Sequence, residues 1–432
     1  MPGSGLPQWA LLGRIPTPRS GRSKGSAVAQ GPLADITVLD LTHYIAGPYC
    51  TKLLATYGAE VLKIERPGQG DPARQLGPFP GDRPHPEKSG LFLHLNTNKC
   101  SVTVNLKHPR GQELIRELVR QVDVVVENFS PRVLPSLGLS YQDLEPLNPR
   151  LVMTSISNFG QSGPYRNWKA QDMVIYAMGG AMNLTGLPER EPLRLALNLM
   201  AYQGGNVAAA ATMTGVLGVR RLGVGQHIDV ALFEVHTGSI DRRTTGLVGY
   251  QYTGEPGYRE EPTGIGVYPN GVYPCKDGYI QTLVFPQAWE RLLAAMEMPE
   301  LRQDPRFADP LARLQQDNRP AFLAIFLDWL QRHTRYEAMR KAQAQGVPLT
   351  AVNQPSAVLQ DPHFRAREYF VEVAHPLAGT LPYTREPFRM AASPAKPVQR
   401  APLLGEHTEA VLGQRLGLST AELAALRRHG VI

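Results

Sequence analysis

The chain has 432 residues, 42% of them hydrophobic, and a formal net charge of +7. That length and apolar content allow a large buried core and two or more domains. Four of the cations (Arg14, Arg19, Arg22 and Lys24) fall in the acid-free first 34 residues, so the remainder is mildly basic with mixed signs and does not carry a nucleic-acid footprint. Cys50, Cys100 and Cys275 are far apart, with no C-x-x-C spacing, which excludes a disulfide framework and a zinc site and points to a reducing compartment.

Residues 1–34 are rich in Gly, Ser, Pro and Arg and predict a disordered extension. Being basic and acid-free, this segment resembles a mitochondrial transit peptide, but its prolines oppose an amphipathic helix, so the cytoplasm is favoured over the matrix. The apolar run around Ile36, Val38, Leu39 and Leu41 predicts a strand. A helix opens at Gly47-Pro48 and runs to about Tyr57, and Glu60–Glu65 is a second strand, completing a βαβ unit with parallel strands. The exit of its first strand, at His43-Tyr44-Ile45-Ala46, is where an α/β sheet places a ligand.

Gly68–Gly90 reads as a loop and Leu91–Leu106 as strand-like, with alternation over Ser101–Leu106. A helix is predicted over Pro109–Gln121, then strands Val122–Glu127 and Leu151–Ser157. This alternation argues for a doubly wound, mostly parallel, Rossmann-like α/β sheet. Gln203–Arg221 is Ala-rich and helical. Its apolar core, Val207–Val219, is shorter than the ~20 residues of a membrane span. A strand follows at His227–Leu232. From Asp241 to Glu290 the chain is rich in Tyr, Gly and Pro, without a long helix until Pro286–Met296, and helices return at Pro310–Arg332 and Arg335–Gln345. The expected division is a large domain over 35–225, a smaller inserted α+β domain over 226–335 and a C-terminal part over 336–432.

The motifs Leu39-Asp40-Leu41-Thr42-His43, Ala46-Gly47-Pro48, Gly58-Ala59-Glu60-Val61 and Lys63-Ile64-Glu65-Arg66-Pro67-Gly68 resemble the N-terminal signature of the family III CoA-transferases. That superfamily includes formyl-CoA transferase, carnitine CoA-transferase and α-methylacyl-CoA racemase. The resemblance recurs at Asn96-Thr97-Asn98-Lys99, Val126-Glu127-Asn128-Phe129, Gly223–Val230 and Pro402–Thr408, and so covers nearly everything after residue 34. It implies that the C-terminal part packs on the large domain and that two chains interlock as a dimer. It also implies a CoA-transferase acting on a small-molecule acyl-CoA and a carboxylic acid, with CoA as substrate, no tightly bound cofactor and no metal.

In that family an aspartate attacks the acyl-CoA thioester to give a mixed anhydride. The resemblance puts it four residues before Gly205, where this chain has Ala201, and Leu197–Tyr202 contains no acid. The nearest candidate is Asp172, matching a glutamate of formyl-CoA transferase-like proteins. Lys169 matches a CoA-contacting lysine. Racemases carry a histidine where Gln171 stands, and glutamine cannot exchange an α-proton, which disfavours an acyl-CoA isomerase or racemase. For CoA the resemblance implies His43, Tyr44, Ile45, Ala46, Arg66, Val104, Lys107, Asn128 and Phe129, at the C-terminal ends of successive strands. Ser136 replaces an arginine of some members, with Arg132 near it, and Thr263-Gly264-Ile265-Gly266 is the nearest approach to the family's glycine-rich covering loop. Three readings stay open: a CoA-transferase alone or in a heteromer, a non-catalytic CoA-binding partner of an Asp-bearing homologue, and an acyl-CoA isomerase. Nucleic acid and membrane are not expected partners.

Overall fold

The structure is a computed structural model that describes residues 31–432, apart from 196, 239–240, 256–258, 260–267, 314 and 316. The opening unit is β1 (Thr37–Asp40), α1 (Ala46–Thr56) and β2 (Glu60–Glu65), followed by α2 (Gly90–Leu95), β3 (Cys100–Thr103), α3 (Pro109–Val119) and β4 (Val124–Glu127). After the short turns α4 (Val133–Ser136) and α5 (Tyr141–Leu144) come β5 (Val152–Ser157), α6 (Asp172–Met178), the long α7 (Leu199–Leu222) and β6 (Gln226–Ala231).

These six strands form one sheet in the order β3-β2-β1-β4-β5-β6, with all five pairings parallel. Alternate residues of each strand enter opposite cores, as the two-residue period requires. Leu39 and Leu62 face α3 and the C-terminal helices α16 (Thr408–Leu416) and α17 (Thr420–Arg428), while Val38 and Val61 face α1 and α7. The chain ends in the first of these cores, with Val431 and Ile432 buried. Strand order reverses direction between β1 and β4, which opens a crevice beyond their carboxyl ends.

The stretch Leu91–Leu106, expected to be strand-like, begins as α2. Ser89 accepts a hydrogen bond from Phe92 N–H and so caps a helical turn before β3 starts. The small domain, expected to open at 226, opens later, because Gln226–Ala231 pairs with β5 as the edge strand of the large sheet. Beyond it lie α8 (Leu232–Gly238) and α9 (Asp241–Thr253), the latter a 13-residue helix in a stretch expected to hold no long one. The smaller unit centres on the antiparallel β7-β8-β9 sheet (Asn270–Cys275, Gly278–Leu283, Leu349–Ala351). Around it pack α10 (Trp289–Ala295), the turn α11 (Pro310–Arg313), α12 (Asn318–Arg332) and α13 (Arg335–Ala344). Its core joins Trp289, Phe307, Phe322, Phe326 and Trp329 to Leu349, so it extends past the expected limit of 335. Helices α14 (Pro355–Gln360) and α15 (Pro362–Ala366) and the hairpin β10-β11 (Phe370–His375, Gly379–Thr384) lead back to the large sheet. Of the expected extension, residues 1–30 lie outside the described residues, as does Thr263–Gly266. Leu33 is already anchored, its N–H donating to Tyr57 O at 2.9 Å.

Candidate active site

The crevice is built from the exits of β1 and β4. Asn128, one residue past β4, clamps the β1 exit twice: its Oδ1 accepts from His43 N–H and its Nδ2 donates to His43 O, both at 2.8 Å. Phe129 meets the His43 ring edge-on at 5.1 Å. Burial pushes the His43 pKa below its ordinary value, against the pull of the nearby Asp71 carboxylate, so the ring is kept neutral. Tyr44 is half-exposed, with a left-handed backbone (φ 64°) that few non-glycine residues adopt. What holds it there is Asp71, whose Oδ1 accepts Tyr44 N–H at 3.0 Å and Ala73 N–H at 2.8 Å.

Asp71 belongs to a buried ionic lattice under the β1-β2-β3 side. Lys63 Nζ reaches Asp71 Oδ2 at 2.9 Å and donates to Thr42 O at 2.8 Å. Lys99 Nζ reaches Asp40 Oδ2 at 3.1 Å, and Asp40 also accepts from the Thr42 and Thr51 hydroxyls. Arg74 grips Glu65 through two bonds of 2.7 and 2.8 Å, adds Glu87 at 2.7 Å and donates to Pro402 O, which ties the C-terminal motif to the crevice wall. Burial alone would raise the carboxyls of Asp40, Glu65 and Asp71. The ammonium and guanidinium partners, with several N–H and O–H donors, outweigh it and hold all three below the usual carboxylate range.

The other expected contacts divide. Ile45 and Ala46 are buried at the start of α1. There the Ala46 carbonyl is so close to α7 that a Cβ on Gly205 would lie 2.6 Å from its oxygen, so only glycine fits. Arg66 and Lys107 are exposed, follow the adjacent strands β2 and β3, and have no ion-pair partner among the described residues. Val104, by contrast, is buried in the core with its N–H given to Glu65 O, and offers a ligand little but its carbonyl. A cleft of about 100 Å³ runs between Ala46, Asn128, Phe129, Ser157, Arg166 and Trp168. Lys169 follows Trp168 on the surface.

Asp172 opens α6, and its Oδ1 accepts from Ala201 N–H at 2.8 Å. Burial raises its pKa, while the N–H groups of Ala201 and Met200 pull it back by favouring the carboxylate. The Asn198 side chain makes no capping bond, so Asp172 also supplies the cap that the start of α7 lacks.

Sequence reasoning missed Lys63, Asp71 and Arg74 beneath the crevice and Glu127, Ser155 and His227 behind it. One signal was available. A lysine in a strand buried on both faces must be paired, and Asp71 and Arg74 stand three apart in the next turn. Among the described residues no group of three or more His, Cys, Asp or Glu side chains forms a metal site, and no helix is long and apolar enough to cross a membrane.

A 3-2-1-4-5-6 parallel sheet with a clamped crevice at its reversal point is a nucleotide-type binding architecture, here with two unpaired cations at neighbouring strand ends. The family model for CoA-transferase family III matches residues 33–408, and the chain belongs to that family. It is similar to the succinyl-CoA–D-citramalate CoA-transferase of Chloroflexus aurantiacus, 34% identical over 93% of this chain and 98% of the relative. It is also similar to a formyl-CoA:oxalate CoA-transferase of Streptomyces coelicolor, 34% identical over 93% of this chain and 99% of the relative. Among solved structures, a CAIB/BAIF family protein from Brucella suis superposes with a TM-score of 0.80 at 30% identity, covering 89% of this chain and all of the other. The chain is thus a transferase of the CoA-moving class.

Proposed function

We propose that the protein moves CoA from an acyl-CoA to a carboxylic acid, binding CoA along the β1-to-β4 edge and using Asp172 as nucleophile. The observation that carries the nucleophile is the 2.8 Å bond between Asp172 Oδ1 and Ala201 N–H: the position where the family carries its aspartate has lost its acid, and another carboxylate lies against it. Arg66 and Lys107 neutralise phosphates, Phe129 flanks the adenine, Lys169 adds a cation on the α6 side, and the backbone of His43, Tyr44, Ile45 and Ala46 borders the pantetheine. An Asp172 oxygen attacks the thioester carbonyl, the C–S bond breaks and the CoA thiolate leaves a mixed anhydride. The thiolate then attacks the aspartyl carbonyl and expels the donor acid. The acceptor carboxylate takes the place of the donor in the reverse sequence, which frees Asp172. The relatives' names span mono- and dicarboxylic acids, so the acid pair is proposed at the level of carboxylic acids.

Exposed Met173, Val174 and Met178 on α6, with Leu197 and Leu199 at the start of α7, support a covering partner. A homodimer, or a heteromer with a homologous subunit, would bury them. Three free thiols are in keeping with the cytoplasm.

A second reading is favoured by Ala201 itself: the chain is a CoA-binding partner of an Asp-bearing homologue, and Asp172 serves only as a cap. Incubation with a panel of acyl-CoAs, hydroxylamine treatment and mass spectrometry separates the two. A hydroxamate at Asp172, absent in Asp172→Asn, supports the nucleophile. No adduct and no turnover until an Asp-bearing homologue is added supports the partner, and an adduct at another residue overturns the assignment.

A further inference from the structure

Behind the Asn128–Phe129 turn lies a polar group that the transfer chemistry does not use. Glu127 is the last residue of β4 and is buried, and its Oε2 accepts Phe129 N–H at 2.8 Å. Its strand partner Ser155 gives it a second hydrogen bond, and Ser155 Oγ is 2.8 Å from His227 Nε2. The His227 ring stacks on Tyr141 at 5.4 Å, which leads the row out to an exposed position on β6. Three consecutive residues at one strand end therefore have separate jobs: Asn128 clamps the His43 backbone, Phe129 packs on the His43 ring, and Glu127 holds Phe129.

We propose that Glu127 is the positioning residue of the CoA edge, and that the Glu127-Ser155-His227 row makes the grip of that edge on CoA depend on its protonation state. The inference rests on the CoA reading of this edge. With Glu127 ionised, Phe129 N–H donates to a carboxylate, a charge-assisted bond roughly twice as strong as a neutral one, and the turn is fixed. The Ser155 hydroxyl donates to the same carboxylate and accepts from His227 Nε2–H. When Glu127 takes a proton from solvent, the row can reverse, with Glu127 donating to Ser155 and Ser155 to the other His227 tautomer, and the bond to Phe129 weakens.

The surroundings favour a change of state near neutral pH. Burial pushes the Glu127 carboxyl up to about 7, and the bonds from Ser155 and Phe129 only partly oppose it, while Asp229 on β6 pushes in the same direction as burial. Four further groups near it are shifted away from that range. Burial keeps His227 and His43 below their ordinary values, and Asp40 on β1 is tied to Lys99 and ionised. Tyr141 is pushed upward by burial, away from neutrality.

The test is calorimetric titration of the full chain with dephospho-CoA, which lacks the 3′-phosphomonoester that would itself titrate near pH 6. Wild-type affinity should weaken about fivefold from pH 8 to pH 6, the size expected when one charge-assisted hydrogen bond becomes a neutral one. Glu127→Gln should show a flat profile at the weaker, low-pH level, with an unchanged melting temperature. Ser155→Ala, which removes a bond favouring the ionised form, should move the wild-type midpoint to higher pH, and it keeps the test decisive if Glu127→Gln does not fold. Binding with no slope or an inverse slope, a Glu127→Gln profile parallel to wild type, or an unmoved midpoint in Ser155→Ala overturns the inference. Absence of binding at every pH removes the CoA reading and the inference with it.

Discussion

The two sides of the crevice treat buried charge in opposite ways. On the β1-β2-β3 side Asp40, Lys63, Glu65, Asp71, Arg74 and Lys99 are all buried and each has an opposite charge in contact. On the side of β4, β5 and α6, Glu127 and Asp172 are bonded by hydroxyl or backbone N–H groups, with no cation partner among the described residues, and burial raises both. Removing one partner of a buried pair leaves an uncompensated charge, so the first side is scaffold. The second side keeps carboxyls whose state is easily changed, as functional sites do. The comparison predicts that substitutions of the buried charges on the first side are read in stability and those of the buried carboxyls on the second in turnover or ligand affinity.

The largest effect is expected at Asp172. If it is the nucleophile, Asp172→Asn should lower kcat by about 10⁴-fold or more, the scale seen when a covalent group is removed, with the Kd for CoA nearly unchanged. A variant that keeps activity but melts early would make Asp172 a cap alone and would break the comparison at its most important residue. Next comes Arg74→Ala, which strands Glu65 and frees Pro402 O. It should cost about 3–5 kcal/mol in denaturant unfolding, whereas the double variant Glu65→Gln/Arg74→Met should cost distinctly less, because the fully buried ion is then gone and the carboxylate left without its cation, Glu87, is partly exposed and keeps the Leu404 N–H. Equal losses in the single and double variants would mean that packing, including Arg74 over the Phe92 ring at 3.6 Å, carries the site rather than charge.

The same contrast explains what was legible in the sequence. The βαβ opening was readable because its signals are local: an apolar run, Gly47-Pro48 starting a helix and a second strand-length run at Glu60–Glu65, which the structure reproduces as β1, α1 and β2. Family motifs pointed to His43, Asn128 and Phe129, and these three do touch one another. The ionic lattice was not readable, because Lys63 and Glu65 look like ordinary strand charges until β1 and β3 close on both flanks. Helix α2 was read as strand-like because its six residues are too few to display a helical period, and its start depends on the single Ser89 cap. Strand β6 was separated from its sheet because the pairing with β5 spans a long connection that includes α7, and no local pattern records it.

A smaller effect is expected at the exposed cations of the proposed CoA edge. Arg66→Ala and Lys107→Ala should each weaken CoA binding severalfold to about tenfold, with the loss shrinking as salt is raised, because a solvent-facing charge on a phosphate is screened. Unfolding should be unaffected, since neither side chain has an ion-pair partner among the described residues to lose. Equal affinity of wild type and Arg66→Ala in calorimetry would remove Arg66 from the site.

The smallest effect is expected at Lys52, an exception to the rule that the first side pairs its charges. Its Nζ is buried and donates to His94 O at 2.7 Å, with His94 Nδ1 at 3.4 Å and no carboxylate in contact among the described residues. Burial, aided by the nearby Lys99 ammonium, lowers its pKa from 10.5 to about 7. Below pH 7 both the folded and unfolded states hold the proton. Between 7 and 10.5 the unfolded state binds more protons than the folded one, so this group makes stability rise with pH through that window. Lys52→Met removes the titration. The stability difference, wild type minus Lys52→Met, should therefore grow in favour of wild type by about 1 kcal/mol from pH 7 to 8, as read by urea unfolding at each pH. A difference that stays constant from pH 6.5 to 9.5 would mean that the ammonium keeps its proton in the fold. A carboxylate, from the chain or from a bound acid, would then have to lie close enough to hold it, and Lys52 would join the paired side of the crevice.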